Sequence, residues 1–271
     1  MCTDFDVPLL PPELEHLIFV NAIHASLNNA TNLLLVSKRV HDWLIPAIFE
    51  VVVVHDDSTQ YWPTQLNLQK IKEYGHHVRH LLLSSIPAGE VEKYLELCPN
   101  VVNLSFWLGR KPALDIGVFQ RLKLTHLSLE MPMLEQILQP SASSVPPQLP
   151  TITHLDIAYT VLTPEQYALL GCFPGLTHLA LYAHQDTKTL EDVLETCKTL
   201  KVFVRLSGAS KYDLPEEYDS PAPVDDHRIV SIKGGCIKDW RVGAQGGLDM
   251  WRFADQIVAS RQVKLKGQKL G

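Results

Sequence analysis

Histidine is the side chain in this sequence with the most chemistry to weigh. Of the 12 histidines, His80, His126, His154 and His178 hold equivalent places in a recurring short segment, the last three inside a Thr-His-Leu triplet. With Asp156 two residues beyond His154, such a set is raw material for a metal site or a pH-sensitive surface. Neighbours on parallel strands point the same way rather than converging, and Thr-His-Leu recurs as part of a repeat. Repeat decoration without a bound metal is therefore the expectation. The five cysteines (Cys2, Cys98, Cys172, Cys197, Cys236) are odd in number and contain no C-x-x-C pair, which fits neither a disulfide framework nor a zinc site. Gly234-Gly235-Cys236 beside Asp239 reads as a turn leading into a buried thiol rather than a reactive one. No P-loop, dinucleotide glycine fingerprint, nucleophile elbow or paired His-Glu metal helix is present. An interaction protein is expected, not an enzyme, and no cofactor.

The elements that position these histidines repeat. An apolar-x-x-apolar-x-apolar pattern begins at Val78, Val101, Leu124, Ile152, Leu176 and Leu200, at intervals of 23, 23, 28, 24 and 24 residues. The long interval holds the proline-rich stretch Gln139 to Pro150, which reads as a loop inserted between repeats. Helix-like segments separate the strands: Gly89 to Cys98, Met131 to Leu138, Thr163 to Gly171 and Asp186 to Cys197. Thr163-Pro164-Glu165-Gln166 has the form of a helix start, with a Thr cap, a proline in the first turn and Gln three residues on. One strand and one helix in about 24 residues cannot bury its own apolar face, so neighbours must stack.

The pattern resembles leucine-rich repeats over Val78 to Arg205, with Val51 to Val54 and Ile229 to Ile232 as further strands at the two ends. The resemblance implies an α/β solenoid, a parallel-sheet horseshoe. Leu127, Leu155 and Leu179, with Leu129, Ile157 and Leu181, should form its inward rows. Alternation along each strand then sends His126, His154, His178, Asp156, Trp107 and Tyr182 to the concave side, where they are expected to face solvent and meet a partner. Cys98, Cys172 and Cys197 fall at the ends of repeat helices, where a small buried apolar residue belongs.

The first fifty residues differ. Leu10, Leu14, Leu17 and Ile18, and then Leu33, Val36, Val40, Trp43, Leu44 and Ala47, recur at helical spacing, with Pro46 closing the second helix. So few residues make a marginal core and need the repeats or a partner to cover them. Leu10-Pro11-Pro12-Glu13-Leu14 through Ile18-Phe19, followed by Leu33 to Leu44, resembles the F-box family, and its passage through Pro46 to Phe49 into a strand is similar to F-box proteins that continue into leucine-rich repeats. The resemblance implies docking on a Skp-type adaptor of a cullin-based SCF-type ubiquitin ligase, through Leu10, Pro11, Leu14, Ile18, Val36 and Trp43, with the repeats holding an unknown target protein. A repeat scaffold with no ligase role is the alternative, and a Cys/His hydrolase or metal-binding enzyme stands third.

Domains are expected at 1–50 (F-box-like helices), 51–240 (repeats) and 241–271 (a closing helix and a frayed basic tail). In the last, Trp240 and Trp251 should seal the final strand, with Met250, Phe253, Ala254 and Ile257 on one face. Asp213 to Asp226 carries six acids and no base and reads as a solvated loop. With 24 Lys and Arg against 30 Asp and Glu, a net charge of -6 argues against nucleic acid as a partner. No apolar run approaches a membrane span, and Met1 to Asp6 carries acids where a secretory signal carries bases, so a cytoplasmic or nuclear location is expected.

Overall fold

The computed structural model describes residues 10–25, 30–55, 68–107, 116–138, 148–158, 162–182, 186–207, 215–217, 224–234 and 237–268. Cys2 and Cys236, residues 139–147 of the proline-rich stretch and most of the acidic stretch lie outside them. In chain order the elements are α1 (Pro12–Ala25), α2 (Ala30–Leu34), α3 (Lys38–Phe49), β1 (Val51–His55), α4 (Leu68–Tyr74), β2 (His80–Ser84), α5 (Val91–Leu97), β3 (Asn103–Trp107), α6 (Ile116–Arg121) and β4 (His126–Glu130). There follow α7 (Met131–Leu138), β5 (His154–Ala158), α8 (Pro164–Ala168), β6 (His178–Tyr182), α9 (Thr187–Thr196), β7 (Val202–Ser207), β8 (Glu216–Glu217), β9 (Ile229–Lys233), α10 (Ile237–Ala244) and α11 (Met250–Gln268).

Among the described residues the strands form one sheet in the order β1-β2-β3-β4-β5-β6-β7-β9-β8, parallel except for the short β8 edge. Each repeat pairs with the next in one register: His80, Asn103, His126, His154 and His178 are successive partners. The arrangement is that of an α/β solenoid. Its core is the expected pair of inward rows. Leu81, Leu104, Leu127, Leu155, Leu179 and Phe203 make one, and Leu83, Phe106, Leu129, Ile157 and Leu181 the other, all of them buried. The second row ends where Arg205 and Ser231 replace apolar residues, and there the buried Arg205 Nη1 donates to Ser231 Oγ at 3.3 Å.

Helices on the far side complete the core. α7 occupies the span that its apolar spacing predicts, and α9 starts where the Asp186 carboxylate accepts the Thr189 N–H at 2.7 Å. At the start of α8 the Thr163 N–H donates to Gln166 Oε1 at 2.9 Å, as the cap pattern predicts. Cys98, Cys172 and Cys197 are buried, and burial pushes the thiols of Cys98 and Cys197 up to about 12 and about 11. Since the thiolate is the reactive form, Cys98 and Cys197 should stay unalkylated by iodoacetamide in native protein at pH 8 and react fully in denaturant, as read by site-resolved mass spectrometry.

Three expectations need correction. The second N-terminal helix is two elements, because α2 stops at Leu34 and Ser37 caps a new helix by accepting the Val40 N–H at 3.2 Å; Pro46 lies inside α3, which runs on to Phe49. The basic residues Arg261, Lys264 and Lys266 belong to α11 rather than to a frayed tail. The largest difference concerns the C-terminal segment: α10 continues across residue 240, where the sequence suggests a domain boundary, and with α11 it forms a hairpin over the concave face, in which α11 covers the last strands β7 and β9 as expected while Trp240 reaches Asn103 in β3 and Trp251 the rings of His154 and His178 instead of sealing the final strand. Gly246, at φ 82°, makes the turn between them, while Gly243 leaves the space that the Asp249 carboxyl occupies. Among the described residues no helix is long and apolar enough to cross a membrane.

Candidate functional site

Two surfaces follow from this architecture. The first belongs to the N-terminal helices. Ile23, Ala30, Val40, Leu44 and Ile48 turn inward and are buried, joining the helices to the repeat core. A different set faces out: Leu10 (43% exposed), Leu14 (49%), Leu17 (55%), Ile18 (53%), Leu35 (80%) and Val36 (57%). Pro11 is exposed as well. Trp43 is half-buried, under the Arg39 guanidinium at 5.1 Å and edge-on to His16 at 5.3 Å. Arg39 also pairs with Glu15, tying α3 to α1.

The second lies between the sheet and the hairpin. His126, His154 and His178 stack with ring centroids 4.0 Å apart and interplanar angles of 15° and 9°. The register causes the stacking, and the preceding threonine sets each ring. Thr125, Thr153 and Thr177 donate their hydroxyls to carbonyls of the previous repeat at 3.2 Å and meet the Nδ1 of His126, His154 and His178 at 2.8–2.9 Å. Each threonine hydroxyl thus ties the Nδ1 side of its imidazole to the preceding strand and holds the plane of the ring. Burial first, then the neighbouring imidazoles, lowers His126 to about 4 and His154 to about 2. Parallel stacking sets the nitrogens side by side instead of around a point. The third ring meets the hairpin directly, with His178 Nε2 3.1 Å from Asp255 Oδ1.

Of the residues expected to line an open concave face, Asp156 and His178 are buried and Trp107, His126, His154 and Tyr182 half-buried. Asp156 is 4% exposed. Trp107 packs beside Ile237 and Trp240, and Tyr182 beside the cluster of Met250, Ala254 and Val258. Trp251 stands edge-on to His154 and His178 at 5.3 and 5.9 Å. The physical reason is in the columns themselves. Val53 and Leu82 at one end, and Ala180, Val202, Val204, Val230 and Ile232 at the other, make the concave face too apolar to stay in water, and the hairpin buries both ends.

Between those apolar ends the layer is polar. Trp107 Nε1 donates to Ser128 Oγ at 2.9 Å, and Ser128 Oγ donates to Asp156 Oδ2 at 2.7 Å. Trp240 Nε1 donates to Asn103 Oδ1 at 3.1 Å. Asp239 accepts the Met250 N–H at 3.1 Å and Asp249 the Arg252 N–H at 2.9 Å, so both acids cap the first turn of α11, where its dipole favours negative charge. Burial pushes Asp156 up to about 7; burial, then Asp249 and Asp156, pushes Asp239 to about 7; burial raises Asp249. Asn103 belongs to the same strand column as His126, His154 and His178, whereas Asp239 and Asp249 have no place in the sequence reading of this site. The signal available was the pair Asp239-Trp240 and Asp249-Met250-Trp251, an acid just before a tryptophan at the head of each half of the hairpin.

No protein-family model matches the sequence, and no curated protein matches it.

Proposed function

We propose that this chain is the substrate-recognition subunit of a cullin-based, SCF-type ubiquitin ligase, with F-box-like N-terminal helices that dock on a Skp-type adaptor and a body of leucine-rich-repeat type that holds a target protein. The observation that carries this reading is the outward row of Leu10, Leu14, Leu17, Ile18, Leu35 and Val36 on a module whose inward apolar positions are already filled. Scattered exposed leucines are ordinary, but this many large apolar side chains on so small a module mark a surface that a partner covers. Leu10, Pro11, Leu14, Ile18 and Val36 are the adaptor contacts in this reading, and Trp43 is a half-buried contributor at its edge. The hairpin fills the concave centre, so target binding falls to the rim and to the outer face of α10 and α11, where Leu248, Val263 and Leu265 are exposed.

Leu10→Ala combined with Pro11→Ala should abolish co-purification of adaptor and cullin while moving the thermal midpoint by no more than about 2 °C, the range of a surface change. Retained adaptor binding would overturn the reading. So would a loss of folding with these two changes, since it would give both residues to the internal core. Purification of the wild-type chain from its own cells without adaptor or cullin would leave a scaffold with no ligase role.

A further inference from the structure

We propose that the cavity between the hairpin and the concave sheet is a binding site for a primary ammonium group, carried by a lysine side chain or by a small alkylamine, with the Asp156 carboxylate as its anchor. This goes beyond the ligase reading and does not depend on it.

Asp156, Asp239 and Asp249 line one cavity of about 30 Å³, partly open to solvent, together with Trp107, Trp240 and Trp251. The decisive atom is Asp156 Oδ1. Its residue is 4% exposed, its other oxygen takes the Ser128 hydroxyl, and Oδ1 itself is buried with no hydrogen-bond partner among the described residues. A buried carboxylate oxygen without a donor is costly, and natural cores rarely leave one. The remaining groups favour a cation. Asp239 lies within electrostatic reach of both other acids. The indole N–H groups of Trp107 and Trp240 are spent on Ser128 and Asn103. His126 and His154 also line the cavity.

Size and geometry narrow the class. A single water needs roughly 10–15 Å³ by this measure, so the cavity takes an ammonium head with its first carbon and has no room for a quaternary ammonium. Among the described residues no three His, Cys, Asp or Glu side chains are grouped so that they could hold a metal ion. An –NH₃⁺ group brings three donors, one of which would satisfy Asp156 Oδ1, and offsets the charge of the buried Asp156 carboxylate. Aromatic walls add to the attraction for a cation.

The test uses the full chain at pH 7.5 and constant ionic strength, read by tryptophan fluorescence and thermal midpoint. The probes are n-butylammonium and Nα-acetyl-lysine methylamide; the controls are tetramethylammonium and Nα-acetyl-norleucine methylamide. Both probes should give saturable signals and raise the midpoint, and neither control should. Asp156→Asn should weaken probe binding by at least about tenfold, the loss of a charge-assisted hydrogen bond, with an unchanged circular dichroism spectrum. Tighter binding of the lysine amide than of butylammonium points to a protein side chain as the natural source, and the reverse order to a free amine; both support the site. No saturable response to either probe in the wild-type chain, or an equal response to the controls, overturns it without reference to any variant.

Discussion

Asp156→Asn should make the protein more stable than the wild type at pH 8 and less stable than it, by about 1–3 kcal/mol, at pH 4. The carboxyl of Asp156 is buried by the hairpin, and burial raises it from 3.8 to about 7. A folded-state value above the unfolded one means that the native state binds the proton more tightly. This group therefore weighs nothing against folding below about pH 4, and its penalty builds as the pH rises through 4 to 7. A shift of that size corresponds to a penalty on the order of 4 kcal/mol once the acid is ionised. The asparagine returns part of the gain, because its buried amide N–H groups cost about 1–3 kcal/mol where they find no acceptor. The carboxylate penalty wins, leaving a net gain of about 1–3 kcal/mol at pH 8, several degrees in midpoint for a chain of this size.

Histidines of the same layer act in the opposite sense. His80 and His126 are lowered to about 4 by burial first, so each contributes stability that is lost as the pH falls from about 6.5 toward 4. The wild-type profile is thus a sum of opposing slopes, and the difference between wild type and variant isolates Asp156. Urea unfolding at pH 4, 5.5, 7 and 8 measures it. A difference that does not grow between pH 4 and 7 would show that Asp156 is not a buried acid in solution. If the ammonium site exists, the same carboxylate lowers stability in the empty protein and is offset when a cation binds, a trade commonly found at binding sites.

Leu179→Ala should destabilise the chain by about 2–5 kcal/mol, the range for deleting a fully buried leucine. Leu179 is 0% exposed and sits in register between Leu155 and Phe203, flanked on both sides by buried members of the inward row. Its neighbours are fixed by the β5–β6 and β6–β7 ladders, so they cannot close fully around the void, which favours the upper half of that range. The midpoint should fall by on the order of 5–15 °C. Because adjacent repeats support each other, the loss should register throughout the sheet and not as a local event. Urea unfolding checks the magnitude, and a change below about 1 kcal/mol would mean that this row is not the continuous core that its register implies.

Some of this was legible in the residues alone. The recurrence of the apolar-x-x-apolar-x-apolar pattern, at intervals of 23, 23, 28, 24 and 24, suffices to specify parallel strands, their register and the inward rows from Leu81 to Phe203, because each unit buries its apolar stripe only against a copy of itself. The stacking of His126, His154 and His178 follows from the same register. The row from Leu10 to Val36 was legible as helical surface, and its exposure agrees with a bundle too small to bury every apolar residue it carries. What covers the concave side was decided by tertiary structure. Alternation along a strand tells which side chains share a face and nothing about what packs on it. The match between the apolar ends of that face, Val53 with Leu82 and Val202 with Val230, and the apolar residues Ile237, Met250, Ala254 and Val258 exists only once the sheet has brought strands nearly 200 residues apart in the chain onto one surface. Only then do Asp156, Asp239 and Asp249 line one space, and a column that reads as open surface becomes a partly open, acid-lined cavity.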